Sequence, residues 1–202
     1  MVIYFLILVA IAARFIPHMP NFAPITALAI FSGANLGWKK AAGITLAVRF
    51  ISDVLLGFFS WPLMVAVYVC HLAGVMFGVW IKQSPGVIPS ASEGSLKLIT
   101  IDKGLAARMH SFGMTQKKWI KIIASSLGAS ALFFLVTNFA FFYAGYAHNI
   151  SGIILAYING LPFLRGTFLG DLGYSVVLFG AYELALYAKS SGHKTQAATY
   201  EA

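Results

Sequence analysis

Trp61-Pro-Leu-Met-Val-Ala-Val-Tyr-Val-Cys-His-Leu-Ala-Gly-Val-Met-Phe-Gly-Val-Trp-Ile81 contains no Asp, Glu, Lys or Arg. A helix that crosses a bilayer needs about 20 mostly apolar residues, with about 17–25 as the working range. This stretch meets that requirement, and five others resemble it: Met1–Ile16, Phe22–Trp38, Ala41–Phe59, Trp119–Tyr143 and Thr167–Ala188. The first is short. Threaded as six passes, the connections alternate sides. One side receives the Trp38-Lys39-Lys40 turn, the connection Lys82–Lys118 and the tail Lys189–Ala202, and with Lys121 these hold every lysine of the chain. The other side has only Arg14 and Arg165 at its edges. Cytoplasmic loops carry the excess of Lys and Arg. The expected fold is therefore an all-α polytopic membrane protein, a bundle of six transmembrane helices with both termini cytoplasmic, placed in the bacterial inner membrane as a multi-pass protein.

Composition agrees. Of 202 residues, 59% are hydrophobic and 10% charged, against about a quarter charged in a soluble domain. Mean hydropathy is +0.82. The net charge of +8 reads as topology determinants and contacts for anionic lipid headgroups, so the expected partner is the lipid bilayer and not nucleic acid. One cysteine, Cys70, excludes an internal disulfide and a Cys-based zinc cluster. Val2–Val9 followed by Ala10-Ile11-Ala12 looks like a secretory signal. No basic residue precedes it, and a signal peptide carries a positive leading region, so a retained first helix is expected.

Residues 1–188 form the expected six-helix domain, and 189–202 a disordered cytoplasmic tail. Within Lys82–Lys118, Pro85, Pro89, Gly86, Gly94 and Gly104 point to an irregular cytoplasmic loop, with a short amphipathic helix over Leu96–Met109. The connection Ala144–Leu164 is apolar and lacks Lys. It is too short to cross twice, and is expected as an interfacial or re-entrant segment on the outer side. Small residues recur at helical spacing in Ala29-x3-Gly33-x3-Gly37 and Gly74-x3-Gly78. Such faces let helix backbones approach closely, first of all within the bundle. Trp38, Trp61, Trp80 and Trp119 fall at span ends, the interfacial belt.

Polar residues inside a membrane are costly and mark function or pairing. They fall in three places: Arg14 to Asn21, including His18; Arg49 and Asp53, which share a helix face at i, i+4; and Thr137 with Asn138, continuing to Arg165 and Asp171. These converge on one level near the outer side. The ligand-binding candidates are Arg14, His18, Asn21, Asp53, Asn138, Arg165 and Asp171. Each also has a structural reading: Arg49–Asp53 as an ion pair, Asp171 as a helix-start neutraliser, Asn138 as interhelical glue, His18 as an ordered loop residue. Arg165 follows Pro162 at a helix start, where N–H groups and a planar guanidinium can grip a carboxylate or phosphate. Cys70 and His71 are metal or pigment candidates, His71 as an axial ligand and Cys70 as a soft one. Phe133 and Phe134, with Phe139, Phe141 and Phe142, line an apolar ligand cavity or face lipid. There is no His-Glu-x-x-His and no Gly-rich phosphate loop, so no enzyme is expected and energy must come from a partner or a gradient.

Three segments carry a resemblance: Arg14-Phe-Ile-Pro-His-Met-Pro-Asn-Phe-Ala-Pro-Ile-Thr-Ala-Leu-Ala; Ile51-Ser-Asp-Val-Leu-Leu-Gly-Phe; and Val136-Thr-Asn-Phe with Leu161-Pro-Phe-Leu-Arg-Gly-Thr-Phe-Leu-Gly-Asp. Together they resemble an uncharacterised bacterial family of transport-type membrane proteins. That family is similar to the substrate-capture (S) components of energy-coupling-factor vitamin transporters. The resemblance implies a six-helix bundle that binds a small, vitamin-like molecule from outside, with Asn21, Asp53, Asn138, Arg165 and Asp171 at the family's polar positions. It also implies docking to an energising subunit through Ala-x3-Ala on the first helix. Here that helix offers Ala10, Ala12 and Ala13, and the clean Ala-x3-Ala is Ala23 with Ala27. The alternative is a non-catalytic accessory subunit of a larger membrane complex, haem- or pigment-binding through His71. The cofactor is unknown.

Overall fold

The structure, a computed structural model, describes the backbone of residues 1–16, 21–82 and 101–200, and the side chains of 1–16, 21–82 and 117–186. Among the described residues the chain forms six α-helices: α1 (Val2–Ala13), α2 (Ile25–Leu36), α3 (Trp38–Leu56), α4 (Trp61–Lys82), α5 (Ile101–Gly145) and α6 (Ile150–Tyr200). Gly37 (φ +78°) separates α2 from α3, and Gly57 (φ +100°) ends α3. Both backbones sit where a side chain is disfavoured, so glycine sets these two corners.

Three helices are long and apolar enough to cross a membrane: Trp61–Lys82, Lys117–Gly145 and Ile150–Leu186. Of the six expected spans, α1, whose stretch is already short in the sequence, and α2 are apolar helices shorter than a full crossing. Each has 12 residues, about 18 Å at 1.5 Å per residue, against a hydrocarbon core of about 30 Å. Apolar residues continue beyond the end of α1, at Phe15 and Ile16, and precede α2, at Phe22 and Ala23. The 19-residue α3 has the length but carries Lys39, Lys40, Arg49 and Asp53.

α2 is the hub and touches the other five helices. Nine consecutive residues, Ile25 to Gly33, are buried, as expected of a helix that is apolar all round. It runs beside the lysine-side half of α4, with Gly74 against Ala29 and Thr26 and Gly33 against Val75. A Cβ on Gly33 would strike the Val75 carbonyl, and one on Gly78 the Ile30 carbonyl. The small-residue spacing therefore serves packing inside the bundle. Ala27, half of the Ala-x3-Ala pair, is fully buried. Around Phe31, the rings of Phe179 (5.2 Å, edge-on) and Tyr182 (5.8 Å) close the core, with Leu6, Ile7 and Ala10 of α1 against it.

α5 and α6 form an antiparallel pair whose turn is residues 146–149. There the Gly152 amide donates to the Asn149 side chain at 2.8 Å, an N-terminal cap. The backbone is helical from Ile150 onward, so most of the apolar connection 144–164, expected as an interfacial or re-entrant segment, is the start of α6. Pro162 lies inside α6. It removes one backbone donor without ending the helix, as apolar spans tolerate. α5 is helical from Ile101, in agreement with the helix expected over Leu96–Met109 for residues 101–109, and it runs on unbroken through 110–118, within the connection expected to be irregular. α6 is helical through Tyr200, within the tail expected to be disordered. The expected helix over Leu96–Met109 falls partly outside the described residues.

Candidate functional site

Where α2 begins, the longer helices continue and leave space between them. A cavity of ≈ 100 Å³ lies there, lined among others by Arg14, Asn21, Thr26, Arg49, His71 and Asp171. Its residues come from all six helices or their ends. Arg14 caps α1; Asn21, with φ +61°, turns the chain toward Pro24 and α2. An asparagine tolerates that left-handed backbone better than most side chains. His71 stands midway along α4, so this polar floor lies about half-way along the bundle. Non-helical backbone at such depth survives where it lines a cavity.

Arg49 is held in place from behind. Its Nε donates to Asp53 Oδ2 at 3.0 Å and its terminal nitrogen to Oδ1 at 2.7 Å, a two-point grip of planar guanidinium on carboxylate. Tyr68 Oη donates to the same Oδ2 at 3.0 Å, and the guanidinium lies over the Phe59 ring at 5.4 Å, a cation–π contact. Asp53 is buried and positions Arg49 from behind the cavity wall.

His71 Nδ1 lies 2.7 Å from the Val67 carbonyl. A carbonyl only accepts, so Nδ1 carries the proton and a neutral ring keeps Nε2 as an acceptor. The ring packs edge-on against Phe133 at 5.8 Å. Opposite stands the Asp171 carboxyl in a cradle of hydroxyls. Ser130 Oγ donates to its Oδ2 at 2.7 Å, and Thr26 hydrogen-bonds it from α2. Ser126 Oγ donates to the Asp171 carbonyl at 3.1 Å and lies 2.7 Å from Ser175 Oγ. Burying a carboxyl requires such partners. They tie α2, α5 and α6 together at the floor.

A second cavity of ≈ 150 Å³ shares Asn21, Phe133 and Thr167 with the first and continues toward the lysine-poor end. Its walls are mainly Phe134, Phe141, Phe163 and Leu164, with Thr137 and Asn138 as polar members. Asn138 donates to the Phe134 carbonyl at 2.7 Å. Gly160 admits it, since a Cβ there would fall on the Asn138 amide. A polar floor thus leads into an aromatic vestibule, the lining expected where a small molecule's polar end and apolar body are both recognised.

Residues 1–195 match a family of unknown function, DUF6580. The chain belongs to that family. Membership in DUF6580 brings no activity or substrate with it, and nothing in the match ties the chain to S components. No curated protein and no solved structure shows a significant match.

Of the DUF6580 chain's sequence-predicted residues, Arg14, Asn21 and Asp171 meet in the first cavity, together with His71, and Asn138 lines the second. Asp53 acts through Arg49. Arg165 lines neither cavity. It is exposed on α6, in a stripe with Ile154, Ile158, Leu161, Leu169 and Val176. The Pro162 placement that suggested a helix start for it is interior to α6, so no free N–H groups stand there. Cys70 is buried and is not among the lining residues of either cavity. Among the described residues no three His, Cys, Asp or Glu side chains gather as a metal-ligand set. His18 lies outside the described residues. Sequence reasoning missed Thr26, Tyr68, Ser126, Ser130, Thr167 and Ser175. Ser126 with Ser130 and Asp171 with Ser175 each repeat at i, i+4, so a shared polar face was the signal that could have found four members of the network.

Proposed function

We propose that this DUF6580 protein is a multi-pass protein of the bacterial cytoplasmic membrane that captures a small amphipathic molecule from the outer side and passes it on, without catalysing a reaction on it. In this reading the lysine-rich end and both termini are cytoplasmic. The short α1 and α2 enter together from the lysine side and return to it, so the sidedness of α3 to α6 is the same as for six full passes. The reading rests on one observation above others: the polar floor of Arg14, Asn21, His71 and Asp171 joins an aromatic vestibule that runs toward the lysine-poor end. Arg14 suits a carboxylate or phosphate, His71 Nε2 accepts from a ligand N–H or O–H, and the Phe-lined vestibule takes an apolar body. The resemblance to vitamin-capturing S components supports the same substrate class. With no phosphate loop in the chain, energy comes from a partner subunit or a gradient.

Mass spectrometry of small molecules retained by gently purified protein tests this. One compound should accompany the wild type and Arg165→Leu but be lost from Arg14→Gln and His71→Phe. Retention of the same small molecules by all four proteins would defeat the reading.

A second reading, an accessory subunit of a larger membrane complex, is favoured by Arg165. A permanently charged guanidinium on an exposed apolar stripe calls for an acidic partner or a headgroup. The haem or pigment form of that reading fits less well, because the ≈ 100 Å³ cavity beside His71 is smaller than a tetrapyrrole. Visible absorbance of the purified protein separates the two.

A further inference from the structure

On the outside of the bundle a groove of ≈ 500 Å³ runs between α4 and α5, lined by Ala73, Met76, Phe77, Trp80 and Leu132. It lies away from the small-molecule cavity and shares no lining residue with it. Its lining side chains are all apolar or aromatic. Small residues make room for it: Ala73 on one wall, and Gly128 behind Phe77, where a Cβ would touch the ring at 3.6 Å.

Its position is informative. Ala73 lies just past the midpoint of α4, and Trp80 in the last turn, about 10 Å further at 1.5 Å per residue. One leaflet contributes about 15 Å of a hydrocarbon core about 30 Å thick. The groove therefore covers most of the depth of one leaflet and ends at an interfacial tryptophan. At that end the Lys121 ammonium lies over the Trp80 ring, 5.1 Å from its centroid; Lys82, two residues beyond Trp80, falls on the opposite face of α4. Lys118 is committed to Glu183. The mouth of an apolar channel thus carries the Lys121 cation at the level where headgroups sit, and net-negative headgroups are drawn to cations at the membrane surface.

We propose that this groove is a binding site for one anionic glycerophospholipid of the lysine-side leaflet. An acyl chain lies along Ala73, Met76 and Leu132, and the phosphate is held at Lys121 beside Trp80. The inference requires that the chain sits in a bilayer, and is independent of what fills the central cavity. A zwitterionic lipid would fill the same groove without using the charge at its mouth, and a partner helix would displace lipid altogether.

The test is native mass spectrometry of the full chain released from bilayers of equimolar phosphatidylglycerol and phosphatidylcholine. Wild type should retain phosphatidylglycerol in several-fold excess. Lys121→Gln should bring the two lipids to near-equal retention, and Lys121→Arg should restore the excess. Ala73→Trp should remove the retained lipid by filling the groove, with Leu132→Trp as a second filling variant should the first not fold. Both are checked for wild-type helix content and a single elution peak. Equal retention of the two lipids by wild type, an undiminished preference in Lys121→Gln, or undiminished retention in a folded groove-filling variant would each overturn the proposal. Loss of all three lipid effects with small-molecule retention intact separates its failure from failure of the capture reading.

Discussion

The lysine-side half of the bundle and the opposite half are built from the same helices but packed in different ways. On the lysine side α2 fills the centre. Gly33 and Gly78 bring it against α4 so closely that neither could carry a Cβ, and Phe31 is locked between Phe179 and Tyr182. On the other side α2 is missing. The chain turns at Asn21 before Pro24, while α4, α5 and α6 continue, and the vacated centre becomes the polar cavity and its aromatic vestibule. The difference teaches that the cavity is made by a helix being short, not by the surrounding helices splaying apart. Polar side chains at the boundary, Arg49, His71 and Asp171, each have a protein partner already, so the floor is held in shape by the bundle itself.

That contrast can be broken most severely at the boundary. Asp53→Asn leaves the Arg49 guanidinium half-buried without its counter-charge and Tyr68 without a charged acceptor. A broken buried pair costs about 3–5 kcal/mol, which should appear as a large fall in the thermal unfolding midpoint in detergent. The double change Arg49→Met/Asp53→Leu should recover much of it, since no isolated charge remains. Failure of the double variant to recover would mean that Arg49 has a further structural role.

A matched pair of glycine substitutions sharpens the comparison between the halves. Gly78→Val, on the packed side, meets the Ile30 backbone and should destabilise by about 1–3 kcal/mol, as overpacking does. Gly160→Ala, on the vestibule side, meets only the Asn138 amide, whose side chain can turn aside at about 0.5–1.5 kcal/mol. Stability should fall less than in Gly78→Val, while retention of the bound small molecule is lost as the amide moves into the vestibule. Equal destabilisation by both, with retention unchanged in Gly160→Ala, would remove the distinction drawn between a packed half and an open one.

Much of the fold was legible in the sequence, and the parts that were not share a cause. Apolar composition located all six helices, and the small-residue spacing of Gly33, Gly74 and Gly78 located the tightest helix contact. Composition could not show that α1 and α2 stop at half depth, because the residues beyond them, such as Phe15, Ile16, Phe22 and Ala23, are equally apolar. Nor could it show that Pro162 sits within a continuous helix, since proline and the flanking glycines read as breakers when the neighbouring helix that steadies them is not in view. Of the candidate site, charged residues were found because charge is conspicuous in an apolar chain. The hydroxyls around Asp171 were missed because serine and threonine are common in membrane helices and reveal a role only when helices from distant segments meet. Arg165 shows the opposite error: conspicuous in sequence, it proves to face outward.

The central claim is that the polar floor, half-way down the bundle, is reached from the lysine-poor side. Asn21 sits where the two cavities join, so Asn21→Cys in a Cys70→Ala background places a single thiol at that junction. A membrane-impermeant methanethiosulfonate added to intact cells should label it, and the same reagent applied to the cytoplasmic face of inverted vesicles should not. Labelling from the cytoplasmic face alone, or from neither face in a folded protein, would contradict the account.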